Sequence, residues 1–142
     1  MTQEEKQLLI KDLCARLPYG VIIAFSKDED LKNLKIKSAK LLDILCENIE
    51  NVYINTESVA YLNIEYVQPY LRPMSSMTEK EKKEHDFYCG YKPYDENIGE
   101  WYLTEYDMPD YIDFLYEHHL DFRGLIPMGL ALEAPDGMYK NE

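Results

Sequence analysis

The side chains best suited to metal or acid–base chemistry lie together near residue 120. His118, His119 and Asp121 are close in sequence, and a zinc site needs two or three imidazoles with a carboxylate on a shared face. On a helix, adjacent His118 and His119 point about 100° apart, so at most one of them joins a given site. His85, on a separate predicted helix, would have to supply a further ligand. The ligand count instead favours histidines at a helix C-terminus, where imidazolium stabilises the helix dipole, and we expect no metal and no cofactor.

Nucleophilic catalysis has one candidate pair. Cys89 follows His85 by four residues, the spacing that brings a thiolate and an imidazolium together across one helical turn. The chain contains no G-x-S-x-G elbow, Walker A loop or dinucleotide fingerprint. A non-enzymatic role is therefore the main expectation, and we predict no catalytic residue. A small metal-dependent or Cys/His-dependent hydrolase that uses His85, His118, Asp121 or Cys89 stays open as an alternative.

An acidic, aromatic segment in the C-terminal half is the feature that most indicates binding. The chain has a formal net charge of -12, and residues 93–142, with two basic and twelve acidic groups, contribute most of it. Tyrosine offers apolar area with a polar tip, and carboxylates beside aromatic rings suit a protein partner with basic residues. The sequence predicts a binding face formed by Tyr94, Glu100, Trp101, Tyr102, Glu105, Tyr106, Asp110 and Asp113.

This segment has other interpretations. The acids keep the protein soluble, and half of the rings fill the core between helix and sheet, because Ile112, Leu115 and Tyr116 must face the sheet. Direct binding of nucleic acid is disfavoured, because phosphate neutralisation needs clustered Lys and Arg. Carboxylates spaced like phosphates would instead make the protein a DNA mimic that inhibits a nucleic-acid-binding protein.

The first half of the chain predicts a helix followed by strands. Thr2 and Glu5 form a capping box that begins a helix ending near Pro18. Residues 21–25 are nearly all apolar, as expected in the middle of a sheet, and residues 34–37 alternate as a half-exposed strand. Residues 41–50 match both a helix and a strand, and their position between strands favours a strand. Residues 52–54 and 59–67 predict two further strands.

The second half predicts helices separated by loops. Prolines in residues 69–73 end the sheet in an extended stretch. A second capping box at Thr78 and Glu81 begins a helix to about Tyr88. Residues 91–106 indicate a loop with a short strand, Asp107 caps a helix that continues to Gly124, and residues 129–135 add a turn or strand. The predicted fold is α+β, with an N-terminal helix, an antiparallel meander of four to five strands and two or more C-terminal helices, in one compact domain spanning residues 1–142.

Cysteine usage and hydropathy indicate the compartment. Cys14, Cys46 and Cys89 are widely spaced and odd in number, so they form no disulfide framework. The N-terminus is acidic where a signal peptide is basic, and the longest apolar run, residues 21–25, is too short to span a bilayer. These features predict a cytoplasmic protein that does not bind membranes and leave homo-oligomer formation open.

Three stretches also carry a family resemblance: Leu-Cys-Ala-Arg-Leu-Pro-Tyr-Gly-Val at residues 13–21, Pro-Tyr-Leu-Arg-Pro-Met-Ser-Ser-Met-Thr-Glu at 69–79, and His-His-Leu-Asp-Phe-Arg-Gly-Leu-Ile at 118–126 with Gly-Leu-Ala-Leu-Glu-Ala-Pro at 129–135. On these, about a third of its length, the chain resembles a family of small uncharacterised proteins from gut anaerobic bacteria, their phages and mobile elements. The resemblance implies no activity. It implies a cytoplasmic accessory protein of phage origin, for which a host regulator or defence component is a reasonable target.

Overall fold

The computed structural model describes residues 1–25, 37–48, 51–88 and 107–139. Its α-helices and strands, numbered in chain order, are α1 Gln3–Arg16, β1 Ile22–Phe25, β2 Lys37–Asn48, β3 Asn51–Thr56, β4 Leu62–Asn63, β5 Val67–Leu71, α2 Glu79–Tyr88, α3 Asp107–Glu117 and β6 Leu132–Glu133. The α+β class, the N-terminal helix and the two later helices agree with the sequence prediction. Residues 34–36 of the strand predicted at 34–37, and the loop predicted at 91–106, lie outside the described residues, whereas Lys37 begins β2.

Helix α1 begins and ends where its local sequence requires. The Thr2 hydroxyl accepts a hydrogen bond from the Glu5 N–H at 3.1 Å, which satisfies one of the unpaired N–H groups of the first turn. After Arg16 the chain tightens into a 3-10 turn that contains Pro18. Gly20 then adopts the left-handed conformation (φ 72°), which glycine enters without steric cost. This turn delivers the chain directly into β1.

Within the part of the chain that the structure describes, the sheet has six strands in the order β4-β3-β2-β1-β5-β6. Strand β1 lies in the interior, paired with β2 and β5, as its apolar sequence predicts. Neighbouring strands are antiparallel except for β5 and β6, which are parallel. The predicted antiparallel meander of four to five strands is therefore wrong in detail, because the chain returns from β4 across the sheet to place β5 beside β1.

Two predicted boundaries in this return are wrong. Within the predicted strand at 59–67, Leu62 and Asn63 pair as β4 and Val67 begins β5, because the Asn63 side chain accepts from the Glu65 N–H and starts a 3-10 turn over Ile64–Tyr66 between them. The stretch at 69–73 was predicted to end the sheet. Its first part instead belongs to β5, with Pro69 opposite Ile23 of β1.

Strand β5 accommodates Pro69 because of the edge that this residue faces. The Leu71 carbonyl accepts from the Ala134 N–H on the β6 side. Alternate residues of a strand direct their backbone groups to the same edge, so the nitrogen of Pro69, which has no hydrogen, also faces that side. Strand β6 pairs only with Tyr70 and Leu71. The proline therefore removes no hydrogen bond from the ladder.

Residues 41–48, compatible with helix or strand in sequence, belong to strand β2. Leu41 lies opposite Thr56, whereas Asp43 lies opposite Asn55, so the register shifts at Leu42 as in a β-bulge. Leu42 is accordingly 53% exposed. The register shift interrupts the two-residue alternation of a regular strand, which explains why the sequence pattern of this stretch also matched a helix.

Helix α2 has a complete capping box, as predicted. The Glu81 N–H donates to the Thr78 hydroxyl at 3.2 Å, and the Thr78 N–H donates to the Glu81 carboxylate at 2.8 Å. Helix α3, predicted to reach Gly124, ends at Glu117. The reason is His119, which adopts the left-handed conformation (φ 56°) and breaks the helical path.

The main core joins α1 to the sheet. Leu9 and Leu13 of α1 and Val21, Ile23 and Phe25 pack with residues of β2, β3 and β5. A second apolar cluster forms around Phe114, Leu115 and Leu120. Of the three α3 residues predicted to face the sheet, Leu115 and Tyr116 are buried, whereas Ile112 is 40% exposed because Phe114 turns inward instead. None of the helices in the described residues is long and apolar enough to cross a membrane.

Candidate functional site

A buried network of charges ties α1 to the turn that follows α3. Asp12 and Arg16 are both fully buried. Arg16 donates to the Leu120 carbonyl at 2.7 Å, and its guanidinium lies over the Tyr116 and Phe122 rings. Arg123 approaches the same Asp12 carboxylate at 3.3 Å. This network fixes the position of the C-terminal end of α3.

A second charged network joins β5, α2 and the end of α3. Arg72, which follows β5, binds both oxygens of Glu81 at 2.7 and 2.8 Å. His118 Nδ1 lies 2.9 Å from Glu81 Oε2. The hydrogen bonds from Arg72, with smaller help from Thr78, lower the pKa of Glu81 to about 2, against the cost of its burial. Glu81 is therefore ionised at physiological pH.

Tyr139 completes the sheet at the point where β1 and β5 separate. The Ile22 N–H donates to the Tyr139 hydroxyl at 2.9 Å, and this hydroxyl donates to the Tyr70 carbonyl at 2.7 Å. The ladder between the two strands ends one pair earlier, at Ile23. The Tyr139 ring stacks on His119, with 3.8 Å between centroids. Burial, and then the Arg16 charge, lowers the pKa of His119 to about 4.

These networks border a cavity of about 620 Å³, called here the main cavity. Arg72, Glu81 and His118 lie along its wall, and the segment at 133–139 lines it as well. The volume is in the range of about 300–1,000 Å³ that small-molecule sites and side-chain pockets occupy. The lining is rich in carboxylates, which include Glu84, Glu117, Glu133 and Asp136.

Two of the eight residues predicted to bind a partner are described, and both are exposed on α3. Asp110 and Asp113 lie with Glu117 on one side of the helix, at spacings of three and four residues. Burial, and then the charge of Asp113, raises the pKa of Tyr19. Glu117 also lines the main cavity. The remaining predicted residues, Tyr94, Glu100, Trp101, Tyr102, Glu105 and Tyr106, lie outside the described residues.

Aromatic rings of the acidic segment pack inward wherever the structure describes them. Phe114 and Tyr116 are buried, and Tyr111 and Phe122 are half-buried. Tyr111 and Phe114 pack against Tyr88 of α2, and Tyr116 and Phe122 lie at the Arg16 guanidinium of α1. These four rings therefore pack inward, but against helices and not between helix and sheet as the core interpretation predicted. The outward surface of α3 is therefore acidic without being aromatic.

The candidate catalytic and metal-binding residues have separate partners. His85 Nε2 lies 3.2 Å from the Tyr111 hydroxyl, whereas Asp121 accepts from the Leu125 and Ile126 N–H groups. Within the described ranges, no three His, Cys, Asp or Glu side chains are grouped so as to hold a metal ion. Cys89 lies outside those ranges.

A second cavity, of about 440 Å³, lies on the other side of the C-terminal segment. Tyr19, Lys40 and Glu57 line it, and Met138 and Tyr139 border both cavities. Met138 and Tyr139 therefore lie between the two cavities.

Several residues of this site gave no signal in sequence. Glu81 was identified only as a cap, although the same carboxylate also holds Arg72 and His118. Tyr139 lies 117 residues from its partner Ile22, so no local pattern predicts their contact. Comparison with protein families, curated proteins and solved structures finds no match to this chain.

Proposed function

We propose that this is a non-enzymatic interaction protein that binds a protein partner through an acidic face. The acidic face comprises the outward carboxylates of α3 and those of the main cavity: Asp110, Asp113, Glu117, Glu84, Glu133 and Asp136. The observation that carries the proposal is the position of Glu117, which belongs to the exposed row of acids on α3 and also lines the main cavity. The face thus combines charge with a concave surface.

The electrostatics define the partner. Arg123 and Lys140 are the only basic residues after position 92, and Arg123 is engaged with Asp12 and Tyr116. The negative charge of α3 is therefore not balanced by its own half of the sequence. Such a field repels nucleic acid and accelerates association with a basic protein surface. The family resemblance suggests a partner in a bacterial host. The acidic face would recognise that partner by a basic surface on it.

Charge reversal on the acidic face tests the proposal. Immobilised protein captures partners from a lysate of the cells that produce it, as wild type, as Asp110→Lys with Glu117→Lys, and as a control. The control is Glu4→Lys with Glu47→Lys, at exposed residues of α1 and β2. It matches the change of net charge and also places one lysine in the first turn of a helix, as Asp110→Lys does.

The proposal predicts that the α3 variant loses the partners that wild type and control both retain. Equal retention by all three proteins would contradict it, and equal loss in both variants would show attraction by net charge alone. Competition with duplex DNA distinguishes an ordinary partner from the DNA-mimic alternative. Displacement of the protein from its partner by the duplex would assign the mimic role.

A further inference from the structure

The carboxylate of Glu81 uses all of its acceptor capacity in one fixed arrangement. Oε1 accepts from Arg72 Nη2 at 2.7 Å and from the Thr78 N–H at 2.8 Å. Oε2 accepts from Arg72 Nη1 at 2.8 Å and lies 2.9 Å from His118 Nδ1. Each oxygen thus has two donors, which is the full complement of a carboxylate. His118 is therefore held in place by a rigid, ionised group.

This contact determines the tautomer of His118. An ionised carboxylate only accepts hydrogen bonds, so in the neutral form of the imidazole the proton resides on Nδ1. In that form Nε2 carries the lone pair and acts as an acceptor. The Phe114 ring packs edge-to-face at 4.8 Å and also holds the orientation. His118 lines the main cavity, and its Nε2 makes no hydrogen bond with residues 1–25, 37–48, 51–88 or 107–139.

The charge around His118 selects a ligand that donates hydrogen bonds. Arg72 and Glu81 neutralise each other through their two-point contact. The main cavity then presents Glu84, Glu117 and the two acids of the C-terminal segment against one ammonium group, that of Lys80. All of these carboxylates, and Nε2 of His118, accept hydrogen bonds. A cationic group with several donors complements such a lining.

We propose that the main cavity binds a guanidinium group, the side chain of an arginine on the protein partner. The planar guanidinium has five N–H donors in a fork, so one edge donates to His118 Nε2 while another meets a carboxylate of the wall. Arginine is also among the residues that most often anchor protein interfaces in pockets. The inference rests on the proposed function and adds the chemistry of the partner's anchor residue.

A matched pair of small probes tests the site directly. N-acetyl-arginine methylamide carries the guanidinium, and N-acetyl-citrulline methylamide has the same shape without the charge. Each is titrated into the full chain while the His118 ring and the Met138 methyl group, both at the main cavity, are followed by NMR. The arginine probe is expected to shift both signals saturably, and the citrulline probe to shift neither.

The variant His118→Asn separates recognition from folding. Its side-chain amide nitrogen replaces Nδ1 as the donor to Glu81, while nothing replaces the acceptor at Nε2. We expect the Asn variant to keep the wild-type unfolding transition and to bind the arginine probe at least tenfold more weakly, read from Met138. The control Glu79→Gln, at an exposed acid of α2, the helix that carries Glu81, should bind like wild type.

Three results would overturn the inference: equal binding of both probes, unchanged binding by the Asn variant, or shifts that do not saturate and spread over the whole acidic surface. The last result would mean that only general charge attraction occurs. Failure here is distinguishable from failure of the proposed function. If the arginine probe fails to bind but the α3 charge-reversal variant still loses its partners, the acidic face binds those partners through a group other than arginine.

Discussion

Asp12 and Arg16, one turn apart on α1, form an ion pair from which solvent is completely excluded. Arg16 Nε donates to Asp12 Oδ2 at 2.8 Å and Nη2 donates to Oδ1 at 3.2 Å. Both side chains have zero exposure, which is unusual for a pair on one helix face. The pair also carries the contact to Leu120 that fixes the end of α3. The position of the acidic face therefore depends on a charge network in the core.

Replacing Asp12 with Ala should strongly destabilise the protein. The change leaves the guanidinium of Arg16 buried without its carboxylate, and Arg123 loses the same partner. Breaking a buried ion pair from one side costs about 3–5 kcal/mol, measurable as a lower free energy of unfolding in urea. The double variant Asp12→Leu with Arg16→Met removes both charges and should lose less. A double variant less stable than Asp12→Ala would contradict this account.

Removing the hydroxyl of Tyr139 should weaken the join between β1 and β5. Tyr139→Phe leaves the Ile22 N–H and the Tyr70 carbonyl without the group that bridges them. A buried polar group without its partner costs about 1–3 kcal/mol. Urea unfolding measures the loss, and faster hydrogen exchange of the Ile22 amide locates it. Tyr61→Phe, at a side chain that is 70% exposed, should change neither quantity.

The Glu81 network should make the free energy of unfolding depend on pH under acidic conditions. The pKa of Glu81 is about 2 in the folded protein, against a reference of 4.5. The contribution of its ionised carboxylate to the free energy of unfolding is therefore fully present above pH 4.5 and is lost as pH falls towards 2. A shift of this size corresponds to about 3 kcal/mol. The stability difference between wild type and Glu81→Gln should therefore shrink across this window. A difference that stays constant from pH 5 to pH 2.5 would show that the network does not favour the ionised carboxylate.

His119 should produce a separate pH dependence in a higher window. Its pKa is about 4 in the folded protein, against a reference of 6.5, so the unfolded chain binds a proton that the folded protein excludes. The free energy of unfolding therefore keeps its full value above pH 6.5 and falls by about 3 kcal/mol as pH decreases to 4. Asn tolerates the left-handed backbone at this position, so His119→Asn should show a shallower decline between these values. Parallel pH profiles would contradict the prediction.

The parts of the structure that depend on neighbouring residues were predictable from sequence. Both capping boxes are local arrangements, and Thr2 and Thr78 begin helices as their spacing requires. The placement of β5 was not predictable, because pairing Pro69 with Ile23 depends on strands that are distant in sequence. The end of α3 at Glu117 also depends on tertiary contacts, since Arg72 pairs with the backbone around Leu120.

In the candidate site, too, only the features that depend on neighbouring residues were predictable from sequence. Acidic residues Asp110 and Asp113 were predicted as exposed, and the period of α3 explains why. The main cavity was not predicted, because its wall combines α2, α3 and the C-terminal segment, which are far apart in sequence. A carboxylate such as Glu81 gives the same signal in sequence whether it only caps a helix or also orients a histidine.

Hydrogen exchange with and without a captured partner tests the central claim most directly. We expect slower exchange in two regions of the bound protein, residues 107–118 and 133–139, which contain the acids of α3 and the wall of the main cavity. The hairpin of β2 and β3 serves as the internal control and should exchange at the same rate in both samples. Protection confined to that hairpin, with residues 107–118 unchanged, would contradict a partner site on the acidic face.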